Sequence, residues 1–318
     1  NFRAGVNAGN SIESGGNQNV LVGDEAGTAL TTGVRNVLLG YAAGDSLTDA
    51  DFNVGIGYGA IAADTLGSGS VAIGDFTLVN QNFTSATTTY NTAVGYSAGA
   101  GLTTGVRNTL IGGLSGDAIT TGGDNVAVGA NALTANTTAS NNTAVGSASL
   151  ITNTTGSFNT GLGNSALYAN TTGTYNVAVG YQALDANTTA ANNTAVGYSS
   201  LGANTTGTRN TAVGTSSLSG NTTGAENVGL GYNALRQQTT GNRNVSVGDA
   251  SMDSNTTGSD NVAVGQSALT ANTTAGNNIA IGKDALKANT IGNTNVAIGT
   301  DAMTTNVAAD RNVAVGEQ

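Results

Sequence analysis

Chemistry in this chain would have to come from carboxylates, aromatic rings and hydroxyls, because its 318 residues include no His and no Cys. That excludes a triad of the serine-protease type, a thiol nucleophile and a zinc site of the usual ligand set. The carboxylates, among them Asp24, Glu25, Asp45 and Asp51, are scattered and form neither an EF-hand loop nor a GGxGxD calcium repeat. The sequence therefore gives no catalytic residue, no metal ligand and no cofactor, and it reads as a chain that is not an enzyme. Aromatic rings remain, as faces on which a sugar can stack. Phe76, Phe83 and Tyr90 fall in one stretch, while Tyr41, Tyr58, Tyr96, Tyr181, Tyr198 and Tyr232 recur at one position of a repeat. The candidate binding surface is accordingly Phe76, Phe83, Tyr90, Tyr181, Tyr198 and Tyr232. The competing reading has the Phe side chains pack on a scaffold and the Tyr residues mark a turn.

The elements that must position these rings follow from a single period. The pentad Asn-x-x-x-Gly begins at Asn1, Asn19, Asn36, Asn53, Ser70 (the one start that is not Asn), Asn91 and Asn108, and then every 17 residues from Asn125 to Asn312. Those nineteen starts include one spacing of 18 and one of 21, the latter an insertion at about residues 75–90. No linker or break in composition interrupts them, so residues 1–318 read as one repeat domain.

Alternation over five residues ending in Gly is strand-like, and 17 residues are too few for a helix pair with its turns. Thr, Asn and Gly, which dominate every unit, are also poor helix formers. The expected fold is all-β: a parallel β-solenoid with one coil per 17-residue repeat and about 19 coils. From Asn125 onward the ninth position is Leu or Met, as in Leu133, Leu150 and Met252, and the twelfth is Asn or Gln. In five earlier units the ninth is Gly (Gly9, Gly27, Gly44, Gly99, Gly116) and the twelfth becomes Ile12, Leu30, Leu47, Leu102 and Ile119. One large side chain changes place while its number per coil holds, as a closed, packed coil requires.

Val, Thr, Ile or Leu at positions two and four are expected to fill the coil, turning Asn, Ala and Gly at one, three and five outward. Position three carries no charge after Arg3, so that small, uncharged face is expected to touch other copies of the chain around a common axis. Asn at position one is expected to form an amide ladder. The Asn-Thr-Thr-Gly segments read as turns, and their match to the N-glycosylation sequon as a by-product of that turn. Arg209, Glu226, Arg243 and Asp260 at position 17 alternate in sign and read as a surface charge ladder. A net charge of −10 disfavours nucleic acid. No apolar run approaches a membrane span, and the N-terminus lacks both Met and a signal-peptide pattern, as in a processed chain or a piece of a longer one.

Units such as Asn193 to Leu201 and Asn142 to Gly156 resemble the repeats of phage tail-fibre proteins and bacterial surface fibres. They are also similar to the NSVAIG-type motif in the heads of YadA-like trimeric autotransporter adhesins, whose unit is shorter. The resemblance implies a left-handed β-roll, a trimer around a fibre axis, an extracellular place on a virion or bacterial surface, and contact with a cell-surface glycan or protein receptor. Phage fibre and cell-borne adhesin both stay open. Two alternatives accompany this reading. One is a self-assembling filament subunit, since no cap is recognisable at either end. The other is an ice-binding solenoid that uses the stacked Thr137, Thr154, Thr171, Thr188 and Thr205.

Overall fold

A computed structural model describes residues 1–317. Each pentad contributes a three-residue strand at positions two to four, and within each of two units successive strands pair in parallel at the same positions. A first unit covers Asn1–Phe158 and a second begins at Asn159. Within the first, Phe2–Ala4 lies beside Val20–Val22, Val71–Ile73 beside Thr92–Val94, and Val126–Val128 beside Thr143–Val145. In the second, Thr160–Leu162 lies beside Val177–Val179, and the pattern runs on to Val296–Ile298 beside Val313–Val315. The fold is thus a parallel β-solenoid with nineteen coil strands, nine in the first unit and ten in the second, and no helix appears among the described residues.

Strands this short cannot by themselves satisfy a backbone. The turn residues do so across coils: Leu133 N–H donates to Ser149 O at 3.1 Å, Ala135 to Ile151 O at 3.0 Å and Thr137 to Thr154 O at 3.1 Å. Such bonds demand that each coil copy its neighbour's dihedral angles. Positions seven, nine and 17 consequently sit in the left-handed region in coil after coil, as at Asn131, Leu133 and Asn141 (φ 58°, 55° and 62°). The cost of left-handed non-glycine residues is offset by the inter-coil bonds their shape permits. Gly at position five is compulsory. Gly197 has φ +129°, and a Cβ there would lie 2.6 Å from Gly214 O.

The parity of the strand is the reverse of the sequence expectation. Position three points inward: Ala127, Ala144, Ala178 and Ala195 are fully buried, as are the ninth-position Leu133, Leu150, Leu184 and Leu201. Positions two and four point outward, half-buried or exposed. Coil width explains this. With Leu at position nine, the interior leaves room for only a small residue opposite it. In three of the five coils with Gly at position nine, position three enlarges to Leu21, Leu38 and Leu110, and a Cβ on Gly44 would meet Leu38 and Leu47 side-chain carbons at 2.8–2.9 Å. The expected exchange between positions nine and twelve holds, with Leu30, Leu47, Leu102 and Ile119 fully buried, and position three takes part in it. The inference that small residues face other copies of the chain falls with the parity: that face lines the core.

Both amide columns are internal. Asn210 Oδ1 accepts from Asn227 backbone N–H at 3.0 Å and from Asn227 Nδ2 at 3.1 Å, while Asn210 Nδ2 donates to Gly224 O at 2.8 Å. A second ladder runs at position twelve, where Asn204 donates to Asn187 Oδ1 and to Gly207 O. Ser70 interrupts the first column, and the insertion repairs it. Ser70 Oγ bonds Thr89 Oγ1, Gln81 Nε2 donates to Ser70 Oγ at 2.9 Å and to Asp64 Oδ2 at 2.6 Å, and Asn91 Nδ2 donates to Gln81 Oε1 at 2.9 Å. Burial raises the Asp64 carboxyl above its ordinary range despite these donors.

Candidate functional site

Turning positions two and four outward leaves an apolar strip on the strand face of each unit. After Ala4, position four is Val, Ile or Leu in every coil. Leu39, Ile73 and Ile111 in the first unit, and Leu162, Val213, Ile281 and Ile298 in the second, are exposed. Position two adds Val, Ile and Thr, including Thr92, Thr109 and Thr143 in the first unit and Thr160, Thr194 and Thr211 in the second. Soluble surfaces rarely keep so contiguous an apolar patch without a use for it.

The six candidate aromatic residues separate. Phe83 is buried (6% exposed) against the coil, so the packing reading holds for it. Phe76 occupies position seven and joins a column of position-six rings. Tyr41 stacks on Tyr58 at 5.3 Å, Tyr58 meets Phe76 edge-on at 5.1 Å, and Phe76 meets Tyr96 at 6.2 Å. Tyr181 and Tyr198 stack at 5.6 Å with planes 10° apart. Stacked rings spend their faces on one another and present edges. Tyr232 is exposed, and Thr215 stands at position six of the coil between it and Tyr198. Tyr90 belongs to another column, at position 17, and is 67% exposed.

Position 17 in the first unit reads Arg35, Phe52, Gly69, Tyr90, Arg107, Asp124 on successive coils. The Arg35 guanidinium lies over the Phe52 ring, 5.2 Å from its centre, and Arg107 pairs with Asp124 at 2.6 Å. Between Phe52 and Tyr90 lies a cavity of about 430 Å³ lined by Asp51, Phe52, Ser68, Gly69, Thr88 and Tyr90. Sequence reasoning named Tyr90 but missed Phe52, which lies outside both the insertion and the tyrosine column. The available signal was the lone glycine of column 17, flanked by two aromatic residues. In the second unit the expected charge ladder is present, with Arg209 paired to Glu226 and Arg243 to Asp260. The arginine beside Asp260 holds that carboxyl below its usual range.

The polar turns are committed to the scaffold. Asn136, Asn170 and Asn204 of Asn-Thr-Thr segments are fully buried, which closes them to a glycosylating enzyme in the folded chain. Thr171 and Thr205 hydroxyls donate to the Thr188 and Thr222 carbonyls at 3.0 and 3.1 Å. Of the scattered carboxylates, Asp24 and Asp51 each accept a backbone N–H from the preceding coil, Val6 and Val34. Burial pushes the Asp45 carboxyl up. No helix among the described residues is long and apolar enough to cross a membrane. Comparison with known proteins found no family model that matches the chain and no curated protein significantly similar to it.

Proposed function

We propose that the chain is a structural and adhesive part of an extracellular fibre, a phage tail fibre or a trimeric surface adhesin. Three copies pack through the outward strand face, and the remaining surfaces make repeated weak contacts with a cell-surface glycan or protein. The observation that carries this reading is the run of Val, Ile and Leu at position four on the outward strand face of each unit. Such a strip favours burial against its own copies, and three is the number implied by the likeness to YadA-like heads. No reaction is assigned. The mechanism is extension plus avidity, in which many identical coils on three chains add up modest contacts.

Light scattering of the purified chain tests this, together with saturable adsorption of the labelled protein to bacterial cells. The expected mass is three times the 31.0 kDa chain. Open-ended polymers would instead support a filament subunit. Outward Thr at position two, in pairs on adjacent coils such as Thr92 with Thr109 and Thr194 with Thr211, favours one further reading, ice binding, for which a 31.0 kDa monomer with thermal hysteresis is the expected result.

A further inference from the structure

We infer that the Phe52–Gly69–Tyr90 slot is a binding site for one neutral pyranose ring. This deepens the proposed contact with a cell-surface glycan by naming the residues and the ligand class, and it rests on that reading only for its biological setting. Coils rise about 4.8 Å apart, so rings on alternate coils stand about 9.5 Å apart. That spacing admits a single ring at about 4.5–5 Å from each wall. Rings on adjacent coils close on each other instead, as Tyr41 and Tyr58 do at 5.3 Å.

The slot is open because the residue between its walls is Gly69. Packing does not demand that glycine. Its φ is +76°, and a Cβ there would touch nothing closer than Thr88 Cγ2 at 3.6 Å. The same column carries non-glycine residues at left-handed angles on either side, including Arg35, Phe52, Tyr90 and Arg107 (φ 52° to 59°). The absent side chain therefore serves the space it leaves.

Electrostatics and polarity select the occupant. A cation is disfavoured, because Arg35 already holds the outer face of Phe52 and Arg107 is the next residue of the column beyond Tyr90. An anion is disfavoured by Asp51 on the rim and by the net charge of −10. The polar lining suits hydroxyl groups. Asp51 Oδ1 takes the Val34 N–H at 2.7 Å, its second oxygen has no bond among the described residues, and Ser68 Oγ accepts from Asp51 N–H at 2.9 Å. The Thr88 hydroxyl also lines the cavity. Aromatic walls for the C–H faces and oxygens at the edge are what a pyranose presents surfaces to meet.

Saturation-transfer NMR with methyl glucoside, methyl galactoside and methyl N-acetylglucosaminide as probes, at millimolar concentrations, tests the site on the full chain. At least one probe is expected to bind, with saturation of its axial ring protons. Gly69→Asn, which fits a left-handed angle, is expected to abolish the signal while the circular dichroism spectrum and melting temperature stay unchanged. Phe52→Ala and Tyr90→Ala are expected to weaken binding on the order of threefold to tenfold, and Tyr232→Ala to leave it intact. Binding that survives Gly69→Asn, binding by guanidinium or sulfate in place of the sugars, or no binding by any probe overturns the inference. The fibre reading fails separately, through the mass and cell-adsorption measurements. A trimer that adsorbs to cells but binds no pyranoside sinks the slot alone, and a monomer that binds through the slot sinks the fibre alone.

Discussion

Replacing Asn210 by Ala removes one rung of the first internal ladder, and the structure sets the size of the loss. Two buried donors lose their partner, Asn227 backbone N–H and one proton of the Asn227 amide, while the Gly224 carbonyl loses Asn210 Nδ2 but keeps Asn221 Nδ2 at 3.0 Å. The Asn227 amide keeps its other bond, to Gly241 O at 2.9 Å. An unsatisfied buried group costs about 1–3 kcal/mol. With partial relaxation of the coil, N210A is expected to destabilise by about 3–5 kcal/mol. The control is Q266A, at an exposed position, for which a change within about 0.5 kcal/mol is expected. A solenoid opens coil by coil more readily than all at once, so native-state hydrogen exchange reads the effect better than a single melting curve. Exchange at Asn227 N–H should accelerate most, and exchange at Val296 N–H, several coils away, much less. If Asn227 N–H remains as protected as in the wild type, or if N210A and Q266A cost the same, the ladder does not contribute as argued.

Two other expectations follow from the packing and the buried acid. A178L should overfill the coil that holds Leu184 and cost about 1–3 kcal/mol. The double variant A178L/L184G recreates the Leu–Gly pairing of the Leu38–Gly44 coil, so it should lose less than the sum of its single changes, and strict additivity in urea denaturation would count against the shared-volume account. D64N removes a carboxyl that burial shifts upward. A raised folded pKa makes the wild type lose stability as pH climbs from the unfolded value to the folded one, and the loss stays constant above it. D64N should therefore gain relative to the wild type as pH rises above the ordinary carboxylate range, the gain levelling off once the buried carboxyl has ionised, and a difference that does not vary with pH would contradict this.

The period of 17, the coil, the slot at position nine and the amide column were readable because each is a matter of recurrence, and stacking turns recurrence into contact. Parity was not readable from alternation alone. A five-residue alternating pattern has two faces, and hydrophobicity favours the wrong one here because the outward Val and Ile outrank the inward Ala. The deciding signal lay in a covariation: Leu21, Leu38 and Leu110 occur at position three only where position nine is Gly27, Gly44 or Gly116. Two side chains that trade volume must share one interior. The candidate site was half legible for a similar reason. Tyr90 stood out as an aromatic residue in an insertion, but its partner Phe52 becomes visible only when column 17 is read across coils. Phe83 looked equivalent to Tyr90 in sequence, and the way the insertion folds sent it inward.

One comparison of adjacent residues addresses the central claim, that a small-residue face lines the core while an apolar face looks out to other copies. A195D and V196D place the same charge at positions three and four of one coil, inward and outward. The first should cost several kcal/mol, as an unpaired buried carboxylate does, and disrupt the coil. The second should keep the β-sheet spectrum and the hydrogen-exchange protection of the coil, yet reduce the light-scattering mass from that of the proposed trimer to that of one 31.0 kDa chain. If A195D is tolerated and V196D unfolds the coil, or if V196D leaves the mass of the assembly unchanged, the account is contradicted.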